Sequence, residues 1–363
     1  MTSPLVYDGI SRQWRDRIDQ THDYAVIRND TRFRAGFTDS FVFESEYNRM
    51  EQLKQQLIDE YDGISVEDAF HGIECDTDEG PCYCVRSAET LSIPDLSGDA
   101  IIGDLHADLT LVRGIGIRTG ALLRARGYHR IEHLVHHRRY ARAAGECLDV
   151  LRSRDPHRIL SLVRRWHPAS HAHILRTAGL YEKERFIFLD LETLGLFSRP
   201  VILFGLARFS HGRLECGQYL LRTMAEELAA LRATRAFLGD DGVLVSFNGR
   251  AFDLPCLRER YAFYGESPLI PNPHYDLLPP SRRRYRRVFP DCRLTTLERR
   301  LFGIWRDHDI PSSMVPEFYQ AYLTTGNPGP LVPVLDHNRQ DLVTLARLFC
   351  LYMEDPDGHR SDR

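Results

Sequence analysis

The chain has 363 residues, 43% of them hydrophobic and 27% charged, and a formal net charge of −4. That length exceeds one ordinary core and predicts two or three domains, while the composition excludes a disordered chain. No apolar run approaches the roughly 20 residues of a membrane span, and the near-neutral balance excludes a chain that is basic throughout.

The N-terminus, "MTSPLVYDGISRQWRDRIDQ", has no apolar core of the signal-peptide kind, and the expected location is the cytoplasm. Lysine occurs only at Lys54 and Lys183, so nearly every cation is an arginine, whose planar fork suits phosphate. Residues 1–100 read as an α+β segment of unknown role. Met50, Leu53 and Leu57 recur at helical spacing in "SEYNRMEQLKQQLIDEYDG", which ends at Gly63. Short strands and turns follow, through "GPCYCVRSAETLSI". His71, Cys75, Cys82 and Cys84 fit no common zinc module, and the cysteines read as reduced thiols of a small β-hairpin.

Residues 101–180 read as a helical domain. Leu109 and Val112 precede "GIG", and Ala121, Leu122 and Leu123 follow it, which predicts helix, glycine turn and helix, with a further short helix around "IEHLVHH". This stretch resembles the helix–hairpin–helix module, which implies contact with a nucleic-acid backbone. Gly114, Ile115 and Gly116 would bring backbone N–H groups to phosphate oxygens at a helix N-terminus, with Arg118 beside them. Residues 111–142 hold eight arginines against one acid, Glu132, which suits that role. A hairpin that only packs two helices together is the alternative.

Residues 181–354 read as an α/β domain. "RFIFLDLET", "VILFGLARFS" and "RLECGQYLLR" are three consecutive strands, "MAEELAALRATRAFLG" a helix ending at Gly239, and "GVLVSFNG" a fourth strand. "AFDLPCLRERYAFYG" is a second helix and "PVLDHNRQDLVTLARLFCLYM" a long last one; residues 355–363 are expected to form a disordered tail. The opening order β-β-β-α-β-α is that of a ribonuclease H-like fold with a mixed sheet.

Within this domain Asp190 and Glu192 lie two apart on a strand and therefore share a face. Two buried carboxylates repel and resist desolvation unless cations meet them, either arginines and helix N-termini or divalent metals. Asp253 falls in the first turn of the helix after Asn248, and His337 and Asp341 lie four apart on the last helix, hence on one face. Asp276, in "HYDLL", is read as orienting structure in preference to binding a metal.

These motifs, "FLDLETLGL", "SFNGRAFDLP", "HYDLLPPSRR", "DCRLTTLERRLFGI" and "DHNRQDLVTLARL", resemble the DEDD (DnaQ-like) exonuclease superfamily, and within it the YprB-like ribonuclease H-like family. The resemblance covers residues 184–350. It implies a 3′-to-5′ exonuclease acting on DNA or RNA, with a single-stranded 3′ end as substrate. Asp190, Glu192, Asp253 and Asp341 would hold two Mg²⁺ or Mn²⁺ ions, and His337 would orient or deprotonate the attacking water. His337 stands at the four-residue spacing at which related exonucleases carry tyrosine, which leaves its role as base open. Thr193 would contact substrate, Asn248 would either support the metal ligands from behind or contact the substrate backbone, and Phe252 would either wedge against a base or fill core. Arg282, Arg283 and Arg284, in a run of eight arginines over residues 281–300, would track its backbone, with Tyr285 as a stacking platform. A structure-specific endonuclease and a non-catalytic nucleic-acid-binding scaffold are the alternatives on the same fold.

Overall fold

The computed structural model describes residues 44–91, 93–95, 97–195, 199–267, 273–306 and 309–355. The residues before position 44, and the tail expected beyond residue 355, lie outside the described residues. Seven strands form one sheet: β1 (Ile73–Thr77), β2 (Gly80–Glu89), β3 (Phe186–Thr193), β4 (Val201–Ser210), β5 (Arg213–Leu220), β6 (Val243–Ser246) and β7 (His274–Asp276), in the order β1-β2-β5-β4-β3-β6-β7. Neighbours from β1 to β3 pair antiparallel, whereas β6 and β7 join β3 by parallel pairing. The three consecutive strands, the fourth strand and both flanking helices stand where the sequence places them.

Two features of the sheet were not predicted. β7 is only three residues long, too short for a period-two signal, and it exists through its pairing with β6, from Leu244↔His274 to Ser246↔Asp276. The β1–β2 hairpin is not confined to an N-terminal segment of its own. It extends the main sheet by pairing with β5 from Tyr83↔Leu220 to Glu89↔Leu214, which satisfies the backbone groups of an otherwise open edge. Cys75, Cys82 and Cys84 lie in this hairpin, and all eight cysteines are free thiols.

β3 is buried on both faces, which is why it reads as an almost continuous apolar run. Phe186 and Phe188 face the last helix (Val332–Glu354), where Phe349 packs against them at ring-centroid distances of 4.8 and 5.7 Å. Ile187 and Leu189 face the opposite core with Met50, Leu53 and Leu57 of the helix Glu44–Glu60. Asp190 and Glu192 continue the phenylalanine face. The last helix therefore covers the apolar half of β3 with Phe349 and its acidic end with residues 337–341.

The helical region contains the helices Gly98–His106, Ile117–Ala125, Ala141–Arg152, Pro156–Trp166 and Ala172–Arg176. The segment Leu109–Leu111 forms a 3₁₀ turn, not the tail of a longer helix, because the Asp108 side chain caps it. Arg164 anchors this region to the sheet by donating to the His274 carbonyl at 2.6 Å, and Thr177 meets the Tyr275 hydroxyl at 2.9 Å.

Candidate active site

The site grows from the end of β3. The ladder with β4 shifts register between Glu192 and Thr193, an irregularity of the kind that re-aims side chains where a strand ends. Asp190 is half-buried and Glu192 is only 5% exposed. Asp253, the first residue of the helix Asp253–Phe263, reaches back so that its Oδ1 accepts the Leu191 N–H at 3.1 Å. That bond fixes the third acid to the strand between the first two. Gly249 allows the approach, since a Cβ there would lie 2.4 Å from Ser246 Oγ and 3.0 Å from Asp253 Oδ2.

Asp276 organises the loop that presents Asp253. Its carboxylate accepts the N–H groups of Asn248 (2.8 Å), Arg250 (3.2 Å) and Leu278 (3.1 Å). This is the orienting role expected for it, and it holds Asn248 at φ +66°, a left-handed conformation that asparagine tolerates.

The last helix supplies the other half. His337 and Asp341 lie one turn apart, with His337 Nε2 3.7 Å from Asp341 Oδ2 and 3.9 Å from Glu192 Oε1. Asp309 Oδ1 sits 2.7 Å from His337 Nδ1, which assigns the proton to Nδ1 and turns Nε2 toward the acids. Arg306 donates through Nη2 to Asp341 Oδ1 at 2.5 Å and through Nε to Glu298 Oε2 at 2.6 Å. Glu298 is 1% exposed and also accepts from Gln340 and Thr344. Arg306, Asp309 and Glu298 were not anticipated. Their only trace in the sequence is the charged cluster "WRDHD" and one glutamate within an arginine run, and nothing local reveals a partner 35 residues away.

The electrostatics follow from this packing. Withdrawal from water, then the charges of Asp341, Glu192 and Asp253, push Asp190 well above the ordinary carboxylate range. Burial raises Glu192 to about 7 against the pull of His337, and burial raises Asp253 to about 7 with Asp276 and Asp341 adding to it. Burial alone would discharge His337, but Asp341, Asp309 and Glu192 hold it up at about 10. The donors are carboxylate oxygens, which suit a hard divalent cation, and their mutual repulsion is the signature of a group that lacks positive charge. Among the described residues no set of three or more His, Cys, Asp or Glu side chains is gathered as a ready-made metal cage. Arg306 pairs with Asp341, and His337 lies within 4 Å of Asp341 and Glu192, so these two residues offset part of the negative charge.

The residues expected at nucleic acid divide. Gly114 has φ +88°, Gly116 precedes the helix Ile117–Ala125, and both are exposed with Arg118. Ile115 does not belong with them: its side chain is buried and its N–H donates to the Val112 carbonyl at 3.0 Å, so it cannot meet a phosphate. Arg282 and Arg283 are exposed, and Arg283 reaches the Ser170 carbonyl at 3.1 Å. Arg284 is committed to the Tyr352 ring, 4.2 Å from its centroid, and to the Asp355 carbonyl. Tyr285 is corrected as well, because its ring is 5% exposed and stacks on Phe289 at 4.9 Å, inside the core and away from any base. Thr193 Oγ1 donates to the Gly195 carbonyl at 2.7 Å and shapes the turn after β3, while Phe252 is half-buried at the start of the Asp253 helix.

The mixed sheet, with acids at the end of its central strand and on the last helix, defines a ribonuclease H-like domain. The RNase_H_2 family model, of the RNase H superfamily, matches residues 187–352. Over 191 residues the chain is 31% identical to the uncharacterized protein YprB of Bacillus subtilis (strain 168), an alignment that takes in 51% of this chain and 45% of that protein. Residues 187–352 thus match the RNase H superfamily model and the chain is similar to YprB, of which the matched part spans less than half the length. A weaker likeness, with a TM-score of 0.36 and 16% identity over 47% of this chain and 24% of the other, links it to the family B DNA polymerase of the hyperthermophilic archaeon Pyrobaculum calidifontis. No helix among the described residues is long and apolar enough to cross a membrane.

Proposed function

We propose that the chain is a metal-dependent nuclease that removes nucleotides from the 3′ end of DNA or RNA. In this reading Asp190, Glu192, Asp253 and Asp341 are the cation ligands. The observation that carries it is geometric: β3 presents Asp190 and Glu192 on one face, the Asp253 carboxylate accepts the Leu191 N–H between them, and His337 of the last helix lies within 4 Å of both Glu192 and Asp341. Bound divalent cations, Mg²⁺ or Mn²⁺, would supply positive charge at the attacking and leaving oxygens of a phosphodiester. His337 would take a proton at Nε2 while Asp309 holds Nδ1–H, so the ring turns neither away from the acids nor into the wrong tautomer. Asp341, Asp309 and Glu192 raise its proton affinity, which cations held by the acids would lower by meeting that negative charge. Arg306 would hold Asp341 in place. Arg118, Arg282 and Arg283 would meet substrate phosphates, and Asn248 and Phe252, flanking the loop before Asp253, would border the nucleotide being removed.

The test uses end-labelled single- and double-stranded DNA and RNA with the purified full chain and Mg²⁺ or Mn²⁺. A ladder shortening from the 3′ end is expected. Internal cuts would convert the reading to an endonuclease, and binding without cleavage would leave a scaffold. Asp190→Asn and Asp341→Asn should each lower cleavage by roughly 10³-fold, several kcal/mol of lost charge stabilisation, without loss of fold. His337→Ala should slow it by roughly 10²–10⁴-fold. Full activity in both acid variants would end the proposal.

A further inference from the structure

Asp190, Gly205 and Gln218 form one row across three strands, with Asp190 opposite Gly205 in the β3–β4 ladder and Gly205 opposite Gln218 in the β4–β5 ladder. The middle position has no side chain, and Asn338 of the last helix fills the gap. A Cβ at Gly205 would lie 2.2 Å from Asn338 Oδ1 and 2.6 Å from Nδ2, distances at which something must shift.

Asn338 is wholly buried, and both ends of its amide are fixed. Nδ2 donates to Asp190 Oδ2 at 2.8 Å and to the Asp190 carbonyl at 3.1 Å. Oδ1 accepts from Gln218 Nε2 at 3.0 Å, and the same Gln218 nitrogen donates to the Leu335 carbonyl at 2.8 Å. Two acceptors on one side and a donor on the other set the orientation of the amide, because a flipped Asn338 would face oxygen with oxygen. The side chain lies in the slot that Gly205 leaves and touches none of the other three acids through these bonds.

We infer that Asn338 is a positioning residue that holds the Asp190 carboxylate through Asp190 Oδ2, with Gly205 and Gln218 as its seat, and so would keep that carboxylate in place for a divalent cation. Without such a tether a carboxylate facing three others would rotate away from them. The inference rests on the reading of these acids as a cation site. Groups that orient a ligand in this way characteristically alter metal affinity by about 10–100-fold when removed.

Mn²⁺ binding to the full chain, measured by titration calorimetry and by the electron paramagnetic resonance signal of free Mn²⁺, tests it alongside thermal unfolding of each variant. Wild type should bind, and Asp190→Asn should not. Asn338→Ala should bind roughly 10–100-fold more weakly. Gly205→Ala should reproduce that loss by evicting the amide, and the double variant should be no worse than Asn338→Ala alone, because the seat is empty already. Excess Mn²⁺ should restore turnover in N338A and G205A and fail to restore it in D190N. Gln218→Met, which loosens Asn338 from behind, should give a smaller loss of affinity; if the other two variants do not fold, this one decides. Wild-type affinity in N338A and G205A, or in Q218M where those two do not fold, overturns the positioning role and leaves the cation site standing. A wild type that binds Mn²⁺ no better than D190N overturns the cation site, and the inference with it.

Discussion

Two aspartates, one in the helical region and one at the end of the sheet, have opposite surroundings. Asp108 is 9% exposed, and its Oδ1 accepts from the Thr110 N–H (2.9 Å) and hydroxyl (2.6 Å). Its Oδ2 meets His167 Nε2 at 2.7 Å and His173 Nε2 at 3.2 Å. Burial would raise it, but these partners hold it far below the ordinary carboxylate range. Asp190 has one amide donor and three acids for neighbours, and moves the other way. Asp108 is complete within the chain and knits the turn before the hairpin to residues 167–173. Asp190 sits where the chain alone does not balance the charge, and that imbalance marks the site.

The largest effect should come from the residue that most reduces the imbalance. Arg306→Met would strand Glu298, buried at 1% exposure, and release Asp341. Breaking a buried ion pair from one side costs about 3–5 kcal/mol, readable as a fall in urea-unfolding free energy in the presence of a chelator. A loss below about 1 kcal/mol would mean that Arg306 is an ordinary surface pair.

The two aspartates themselves should differ in sign. Asp108→Asn removes a charged acceptor from buried donors and should destabilise by about 1–3 kcal/mol. Asp190→Asn relieves the cost of burying a carboxyl group among three others and should stabilise the cation-free protein. Saturating Mn²⁺ should reverse the order of wild type and D190N, since a ligand at 100 times its dissociation constant adds about 2.7 kcal/mol to the form that binds it. Equal signs in chelator would erase the distinction between the regions.

Acidity gives a finer separation. Glu192 titrates near 7 in the folded chain against 4.5 ordinarily, so the folded state keeps a proton that the unfolded state releases between those values. Folding stability therefore falls as pH rises through that window, and the advantage of Glu192→Gln over wild type should grow from about pH 4.5 to 7 and then level off. His337 acts in a higher window. Raised from 6.5 to about 10, it contributes stability that is complete below 6.5 and is lost as pH climbs to about 10. The deficit of His337→Gln should accordingly shrink across that range. Thermal midpoints taken at intervals of one pH unit in chelator distinguish the two, and a flat difference for both variants would show that neither group is shifted by its burial and its neighbours.

Much of this was legible in the chain because the signals were local. The β3 run, the Gly239 stop and the four-residue spacing of His337 and Asp341 each predict their element from neighbouring residues. The grouping of Asp190, Glu192, Asp253 and Asp341 into one site is what the resemblance of the motifs implies, and no single element predicts it. What stayed hidden depends on tertiary pairing. β7 needs β6, the β1–β2 hairpin needs the edge of β5, and Arg306 and Asn338 gain meaning only from partners far along the chain. Tyr285 and Ile115 were misplaced for a related reason. A run of arginines, or a glycine turn, does not reveal which of its members faces inward.

That last distinction leads to the smallest effect. Arg118 is exposed in the first turn of the helix after Gly116, whereas the Arg284 guanidinium is engaged by the Tyr352 ring and the Asp355 carbonyl. If the hairpin meets phosphate, Arg118→Ala should weaken binding to every sequence alike and reduce the slope of log affinity against log salt by about 1. Arg284→Ala should leave that slope unchanged and instead lower stability, because its charge is committed to the fold. Fluorescence anisotropy with labelled single-stranded DNA over a range of salt concentrations reads both. A slope lowered equally by the two variants would mean that arginine content, and not its placement, governs contact with the backbone.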